Sequence, residues 1–466
     1  MGSQIKDTSK APELELLPDA SSDALVLTHP TDEERRRTWT RNHREWGGPL
    51  NLEKYLQREP YLTTIPLARD GGITHWILST TTSAESDPKQ QQQRPVLASC
   101  ETIRKRVLVA RPGSGAEGGD DGAVVEEATG YGIGSVYTYQ EFRGRSYAAR
   151  MLRELGAALR TRPRLEASAS AADGAGRRED DAVCSALWSD IGKVFYARKG
   201  WAPFPSLHVS FPPSSSASTS TSGDRARVPL EPITYANLPS FASLDESLLR
   251  RRLARTAART RRPAFAFAPD HDTLRWHLFR ESCIASLVYG GTADPSAWAA
   301  ETTAKGVAAG RGEGRGRVWA VWARNYVTAP PDKGGDGGEA KAARGKNALY
   351  ILRLVVEGYD EDAPLEGQGG GAGGDVKEEE KEELTAAFRA VVDAARAEAA
   401  AWGLARVDLW NPTPLVRGLL ARCGAERLPH EWVERDGDSI PSLMWYGAGE
   451  EVGEVDWVAN EKYCWC

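Results

Sequence analysis

Arg143, Gly144, Arg145, Ser146 and Arg150 lie close together in the run T-G-Y-G-I-G-S-V-Y-T-Y-Q-E-F-R-G-R-S-Y-A-A-R-M from Thr129 to Met151. Cations beside a glycine turn that opens a helix are one way a protein holds a pyrophosphate. The preceding residues, Ile133 to Tyr139, alternate Val and Tyr with small polar residues, which suits a partly buried strand. Gly144 can take the dihedrals of a tight turn, and Ser146 is placed to cap a helix carrying Ala148, Ala149, Met151, Leu152 and Leu155. Amides from Arg143 to Ala148 would then point outward unpaired, and the positive end of the helix dipole adds to their attraction for an anion. The same residues also suit a solvated helix start that binds nothing.

A second segment, C-S-A-L-W-S-D-I-G-K-V-F-Y-A-R-K-G-W from Cys184 to Trp201, predicts a short strand ending near Ser189 and a helix running to a stop at Gly200. Together the two segments resemble the acetyl-CoA-binding half of the GNAT acyltransferases. The loop pattern of that superfamily, Gln/Arg-x-x-Gly-x-Gly/Ala, falls here on Arg143, Ser146 and Ala148, with serine at 146 where glycine is usual. The F-Y-x-x-x-G-W phrase places Tyr196 where many members carry the tyrosine that faces the coenzyme's sulfur. The phrases L-W-S-D-I-G-K-V-F-Y-A-R-K-G-W and A-N-E-K-Y-C-W-C, with L-T-H-P-T at Leu27 to Thr31, narrow the resemblance. They look like the fungal lysine N6-acetyltransferases of lysine catabolism, which couple a GNAT domain to a long C-terminal domain.

The resemblance implies acetyl transfer from acetyl-CoA, as co-substrate, to the side-chain amine of free L-lysine. It implies coenzyme contacts at Val136, Tyr137, Thr138, Arg143, Gly144, Arg145, Ser146, Tyr147 and Ala148, with an oxyanion-stabilising amide near Val136 to Thr138. Releasing the proton of a lysine side chain at neutral pH costs about 4.6 kcal/mol, so a proton acceptor is required. Glu101 and Asp190 are the carboxylates nearest the implied cleft, and Tyr196 stands by the departing sulfur. A phenol is a weaker acid than a thiol, so proton donation to the thiolate is uphill by roughly 2 kcal/mol. Tyr196 can therefore act as much by hydrogen bonding as by donating a proton. Plainer readings remain: Glu101 as a surface strand residue, Asp190 as a helix cap, Tyr196 as a packed aromatic. His29, Arg41, Trp46 and Tyr137 could face the acceptor or serve the fold. A protein lysine or a polyamine as acceptor, or a non-catalytic acyl-CoA-binding protein, also fits these residues.

Composition agrees with a protein that buries substantial cores. The chain has 466 residues, 41% of them apolar, with 15 tryptophans spread over both halves. A net charge of −6 gives no support to general nucleic-acid binding. The basic run Arg250 to Arg262 reads as a solvated face or as a phosphate contact. No stretch is apolar enough to span a bilayer and no secretory core opens the chain, so the expected location is the cytoplasm, without membrane partners. Cys100, Cys184, Cys283 and Cys423 are scattered without metal-ligand spacing, and no metal is expected. Cys464 and Cys466 lie in a tail whose aromatics favour packing against the fold. Oligomeric state is not readable.

Polar or Gly-rich stretches at Ala84 to Arg94, Pro112 to Gly122, Ala167 to Asp181, Ser214 to Asp224, Pro330 to Gly345 and Gly367 to Glu380 read as surface insertions. The expected organisation is a flexible 1–22, a GNAT catalytic domain over 23–213, a linker over 214–228 and a C-terminal α/β domain over 229–466. Removing the insertions leaves a mixed α/β order in the first half: a strand at Leu25, helices from Asp32 and Leu52, strands at Ile73 and Val96, then the loop and its helix. The second half repeats part of that order without a convincing phosphate turn, which suggests a second, GNAT-like unit for support.

Overall fold

A computed structural model of the chain describes residues 17–81, 94–112, 124–167, 182–214, 228–290, 304–310, 314–328, 345–367, 376–447 and 452–466. The expected insertions lie, but for their ends, outside the described residues. The first half runs β1 (Leu25–Thr28), α1 (Asp32–Trp46), α2 (Leu52–Leu62), β2 (Ile73–Thr80), β3 (Ala98–Ala110), β4 (Val125–Thr138), α3 (Tyr147–Ala167), β5 (Ala182–Ser189), α4 (Val194–Ala197), β6 (Ala202–Pro203) and β7 (Leu207–Phe211). The second half runs β8 (Leu230–Ile233), α5 (Leu238–Thr260), β9 (Ala264–Phe267), α6 (His271–Tyr289), β10 (Gly306–Ala309), β11 (Val318–Asn325) and β12 (Ala348–Val356). It continues with α7 (Glu378–Ala401), β13 (Arg406–Trp410), α8 (Pro414–Cys423), β14 (Glu431–Glu434), β15 (Ile440–Trp445) and β16 (Asp456–Trp457).

Local signals account for many of these boundaries. Helix α1 begins at a reciprocal cap, with Glu34 N donating to Thr31 Oγ1 at 3.2 Å and Thr31 N to Glu34 Oε2 at 2.8 Å. The Glu34 carboxylate is buried and also receives Arg94 Nε at 2.6 Å. Burial raises its pKa, but the Arg94 bonds and the Thr31 amide outweigh this and hold it low. Two expectations change. The strand before the loop starts at Val125 rather than Ile133, and the helix of Tyr196 closes after one turn at Ala197 instead of continuing to Gly200.

Two mixed sheets result. One has the order β1-β2-β3-β4-β5-β15-β6, with β9 pairing β3 and β16 pairing β9; the other has the order β14-β7-β13-β12-β11-β10-β8. The sheets exchange strands. β15, from the second half, lies antiparallel on β5, from Ile440↔Ser189 to Trp445↔Cys184. β7, from the first half, lies antiparallel on β13, from Val407↔Phe211 to Trp410↔His208.

The exchange is sealed by a common core. Ile103 and Val107 of β3, Phe265 and Phe267 of β9, Trp319 of β11, Leu352 of β12, Trp410 of β13, Trp445 of β15 and Tyr463 form one buried cluster. On the outer face of the first sheet, Met151, Leu152 and Leu155 of α3 cover Tyr131 and Ile133. On the second sheet, Phe388, Val391 and Val392 of α7 join a separate core.

A buried charge network fixes the tail. Arg353 of β12 meets Asp245 of α5 through Nε at 2.9 Å and Nη2 at 2.8 Å, and ion-pairs with Glu461. Glu461 also accepts Leu354 N at 3.1 Å. All three side chains are buried, so each depends on the others to offset its lost hydration. Along α5 much of the basic run is paired: Arg250 with Glu246 and Glu127, Arg252 with Glu361 and Asp362, and Arg259 with Asp360 and Asp362. These pairs favour the solvated-face reading for the arginines they hold. No helix among the described residues is long and apolar enough to cross a membrane.

The exchange makes each half dependent on the other. Residues 1–213 expressed alone lack β15, so we expect no cooperative melting transition by circular dichroism. Co-expression with residues 214–466 should restore one. A cooperatively folded 1–213 fragment would contradict this.

Candidate functional site

The site begins where β4 parts from β5. Their parallel register runs from Thr129↔Ala182 to Ile133↔Leu187 and stops there, although β4 continues to Thr138. From Gly134 onward β4 keeps only β3 as a neighbour, so on the β5 side its backbone has no ladder partner. A bulge lies at the same point: the register shifts between Ser99↔Tyr137 and Glu101↔Gly134, and Ser135 takes φ 52°. Residues paired across an antiparallel ladder face the same side. Gly130, Gly132 and Gly134 therefore present no side chain on the face carrying Lys105, Ile103 and Glu101. The space is used closely: a Cβ on Gly132 would stand 3.0 Å from the Cys466 sulfur.

A pocket lined mostly by cations, with Asp19 also on its wall, lies at the start of α3. The first amide to find a backbone partner there is that of Arg150, which donates to Ser146 O at 3.1 Å. The amides of Gly144 to Ala149 make no backbone hydrogen bond among the described residues. Arg143 departs from expectation, because its amide donates to Gln140 O at 3.3 Å and its Nε to Thr138 O at 3.1 Å. Arg150 is likewise engaged, with Glu154 and with Ala20 O at 3.1 Å. Arg145 lines the pocket with Gly144 and Ser146, and Arg153, Arg198 and Lys199 add charge that the sequence reading did not assign. The Tyr147 ring is buried and its hydroxyl donates to Pro18 O at 2.7 Å, so its side chain is taken up by the fold.

Ser146 has φ 63°, the left-handed region that glycine adopts without strain. Its carbonyl begins the helix, but the residue is not an extended N-cap as expected.

Tyr196 lies on the one-turn helix beyond β5, packed edge-on to Phe195 at 5.1 Å. Its hydroxyl makes no hydrogen bond among the described residues. Burial, then the nearby Asp190 and Cys100, raise its pKa, so it keeps its proton through the neutral range. The following G-W pair anchors it: Trp201 is buried and donates Nε1–H to Ser185 Oγ at 3.0 Å. Asp190 does not cap this helix, whose N-cap is Lys193; its carboxylate accepts Ser439 N at 3.0 Å.

Glu101 stands at the bulge, accepting Ser135 Oγ–H at 2.8 Å, with His75 Nε2 at 3.7 Å. Burial pushes its pKa up, against the Ser135 hydrogen bond. Burial and the charge of Arg35 lower the His75 pKa to about 4, so this neighbour is neutral near pH 7. An anion beside a neutral imidazole can accept a proton. Groups the sequence reading missed act on its charge or feel it: Arg58 and Glu59 of α2, Arg280 of α6 and Cys466 of the tail. The tail is held here by Lys105 Nζ, which donates to Cys464 O at 2.7 Å and Trp465 O at 3.1 Å.

The remaining acceptor candidates have partners within the fold. His29 Nδ1 is 3.0 Å from His75 O and its ring packs on Trp76. Arg41 pairs with Glu141 over the Tyr139 ring, and Trp46 packs edge-on to Tyr137 at 5.6 Å. Val136 and Thr138 flank Tyr137 on the unpartnered end of β4. Among the described residues no group of His, Cys, Asp and Glu could hold a metal ion.

A bulged strand parting from its parallel neighbour, with free helix-start amides beside it, defines a GNAT-like unit. The family described as "LYC1 GNAT-like C-terminal domain" matches residues 208–466, and the chain belongs to it. A lysine acetyltransferase of Yarrowia lipolytica is 28% identical over 194 residues, 41% of this chain and 43% of that protein. An uncharacterized protein of Saccharomyces cerevisiae is 25% identical over 150 residues, 29% of this chain and 36% of the relative. The alignments thus span less than half the length of either curated relative. A GCN5-related N-acetyltransferase from Anabaena variabilis aligns with 91% of this chain and 73% of its own at 12% identity and a TM-score of 0.43. Saccharomyces cerevisiae N-myristoyltransferase aligns with 93% of this chain and 81% of its own at 9% identity and a TM-score of 0.44.

The Ser146 dihedral can be tested directly. Ser146→Gly should raise the melting temperature by about 1–2 °C, because relief of left-handed strain exceeds glycine's entropy cost. Ser146→Val should lower it, since a β-branched residue fits this dihedral poorly. Equal melting temperatures for both variants would contradict the assigned backbone.

Proposed function

We propose that this chain transfers acetyl from acetyl-CoA to the side-chain amine of free L-lysine. The observation that carries the reading is the Glu101 carboxylate at the β4 bulge, placed beside the strand end that lacks its parallel partner. The likeness to the Yarrowia lipolytica lysine acetyltransferase supports the choice of lysine. In this reading residues 23–213 carry the coenzyme and most of the catalytic groups, and the half beginning at 229 closes the acceptor side.

The helix-start amides of α3, with Arg145, Arg198 and Lys199, bind the coenzyme's phosphates. Glu101 takes a proton from the lysine ammonium, directly or through one water; its raised pKa makes it a stronger base than an exposed glutamate. The freed amine attacks the thioester carbonyl, forming the N–C bond, and a β4 amide between Gly134 and Thr138 stabilises the oxyanion. Collapse breaks the C–S bond. The attacking nitrogen sheds its second proton, which passes through water to the departing sulfur, so that the coenzyme leaves as the thiol while Tyr196 hydrogen-bonds the sulfur. Asp190, held by the Ser439 amide, orders the loop before Tyr196.

Thiol release from acetyl-CoA should be fastest with free L-lysine, slow with diamines and polyamines that lack its carboxylate, and not seen with N6-acetyl-lysine or a histone peptide. Coenzyme binding without release on any amine would favour a non-catalytic role. Glu101→Gln should lower kcat about 10²- to 10³-fold with coenzyme affinity unchanged, and Tyr196→Phe about tenfold.

The pH dependence has a definite sign. The base must be anionic, so wild-type activity should fall toward acid through a pKa above the ordinary glutamate value of 4.5. His75 titrates lower, at about 4, and does not produce this limb. An acid limb unchanged in Glu101→Gln would remove Glu101 from the mechanism.

A further inference from the structure

The charges around the cleft are separated rather than matched. On α2, Arg58 holds Glu59 through Nε at 2.8 Å and Nη2 at 2.5 Å, and both side chains are buried. Helix α6 packs against α2, with Lys54 Nζ donating to Leu287 O at 2.7 Å, and brings a second cation, Arg280, to the same place. Arg280 has no ion pair or hydrogen bond among the described residues; its guanidinium lies over the Trp465 ring at 5.3 Å. Its charge acts on Glu59, Glu101, His277 and Lys462, which sets it centrally among α2, β3, α6 and the tail. Burial, with the like charge of Arg58 adding to it, lowers its pKa to about 10, against the attraction of Glu59. It therefore remains a cation at neutral pH.

With Glu59 already bound to Arg58, Arg280 is left as surplus positive charge. Glu101 faces His75, which is neutral, at 3.7 Å, so its carboxyl group has no cation paired with it among the described residues. A partly desolvated guanidinium and a partly desolvated carboxyl group each gain from a partner of opposite charge. Both Arg280 and Glu101 keep part of their surface accessible, as do Trp465 and Cys466. A molecule carrying an anion at one end and a cation at the other would offset both charges at once.

We infer that Arg280, braced by the Trp465 ring, forms the subsite for the acceptor's α-carboxylate, while Glu101 receives the amine at the far end of the same molecule. The inference rests on the free-lysine reading above and extends it to the group that selects an amino acid over a bare diamine. A planar guanidinium suits a carboxylate because it can donate two parallel hydrogen bonds. The sequence reading could not find this residue, because it lies on a helix of the second half with no motif around it.

The test compares L-lysine with 1,5-diaminopentane and L-lysinamide, which keep the reacting amine and lack the carboxylate. In Arg280→Ala the KM for L-lysine should rise about 30-fold or more, with kcat within about threefold of wild type. The KM values for both carboxylate-free amines should stay within about threefold, so that discrimination between the acceptors collapses. Arg280→Lys, which keeps the charge and loses the fork, should give an intermediate KM for L-lysine and guards against a folding failure of the alanine variant. Equal losses on all three acceptors, or an unchanged KM for L-lysine, would overturn the subsite while leaving the free-lysine reading intact. Wild-type turnover of the carboxylate-free amines with none of L-lysine would overturn both.

Discussion

The rest of the structure depends on β5 having two different neighbours. Along Cys184 to Ser189 it is committed to β15 in an antiparallel ladder, and that strand arrives from the other half of the chain. On its opposite edge it keeps β4 only as far as Leu187. The Ser135 bulge turns β4 away at this point, and β5, held by β15, does not follow. The gap opens because one edge of β5 is fixed by distant chain while the other is released.

The same exchange supplies the wall of the site. Since β7 goes to the second sheet and β15 to the first, both sheets pack on a common aromatic core and their positions are coupled. The Arg353 network then fixes Glu461, and the Lys105 bonds to Cys464 and Trp465 carry the tail to the face where β4 has only glycines. Breaking the Arg353 network would leave carboxylates buried without an offsetting charge, which costs several kcal/mol. The tail is therefore a fixed part of the cleft. Lys462 of the tail, without an ion pair among the described residues, lies 4.4 Å over Tyr350 of β12, 4.3 Å over Trp410 of β13 and 4.0 Å over Trp465.

The parts that were readable in the sequence were local. The strand at Leu25, the helices from Asp32 and Leu52 and the strand at Ile73 follow from residues a few positions apart. The loop from Arg143 to Ala148 could be located, but the roles of its arginines could not, because Arg143 and Arg150 are claimed by Thr138 and Glu154 through folding. Ser146 was read as a departure from a glycine pattern, and its positive φ gives that pattern its physical reason. The strand exchange was not readable, since no local signal distinguishes a strand that stays from one that crosses. Arg280, Glu59 and the tail were missed for the same reason: their roles come from packing between segments hundreds of residues apart.

The central claim is that one cleft, at the parting of β4 and β5, takes the coenzyme at its α3 end and is closed by the second half. Hydrogen–deuterium exchange of the full chain, with and without acetyl-CoA, tests it most directly. The account predicts slowed exchange at the amides of 144–149 and 134–138, with smaller changes in 462–466. Slowed exchange confined to the second sheet, with those two segments unaffected, would contradict it.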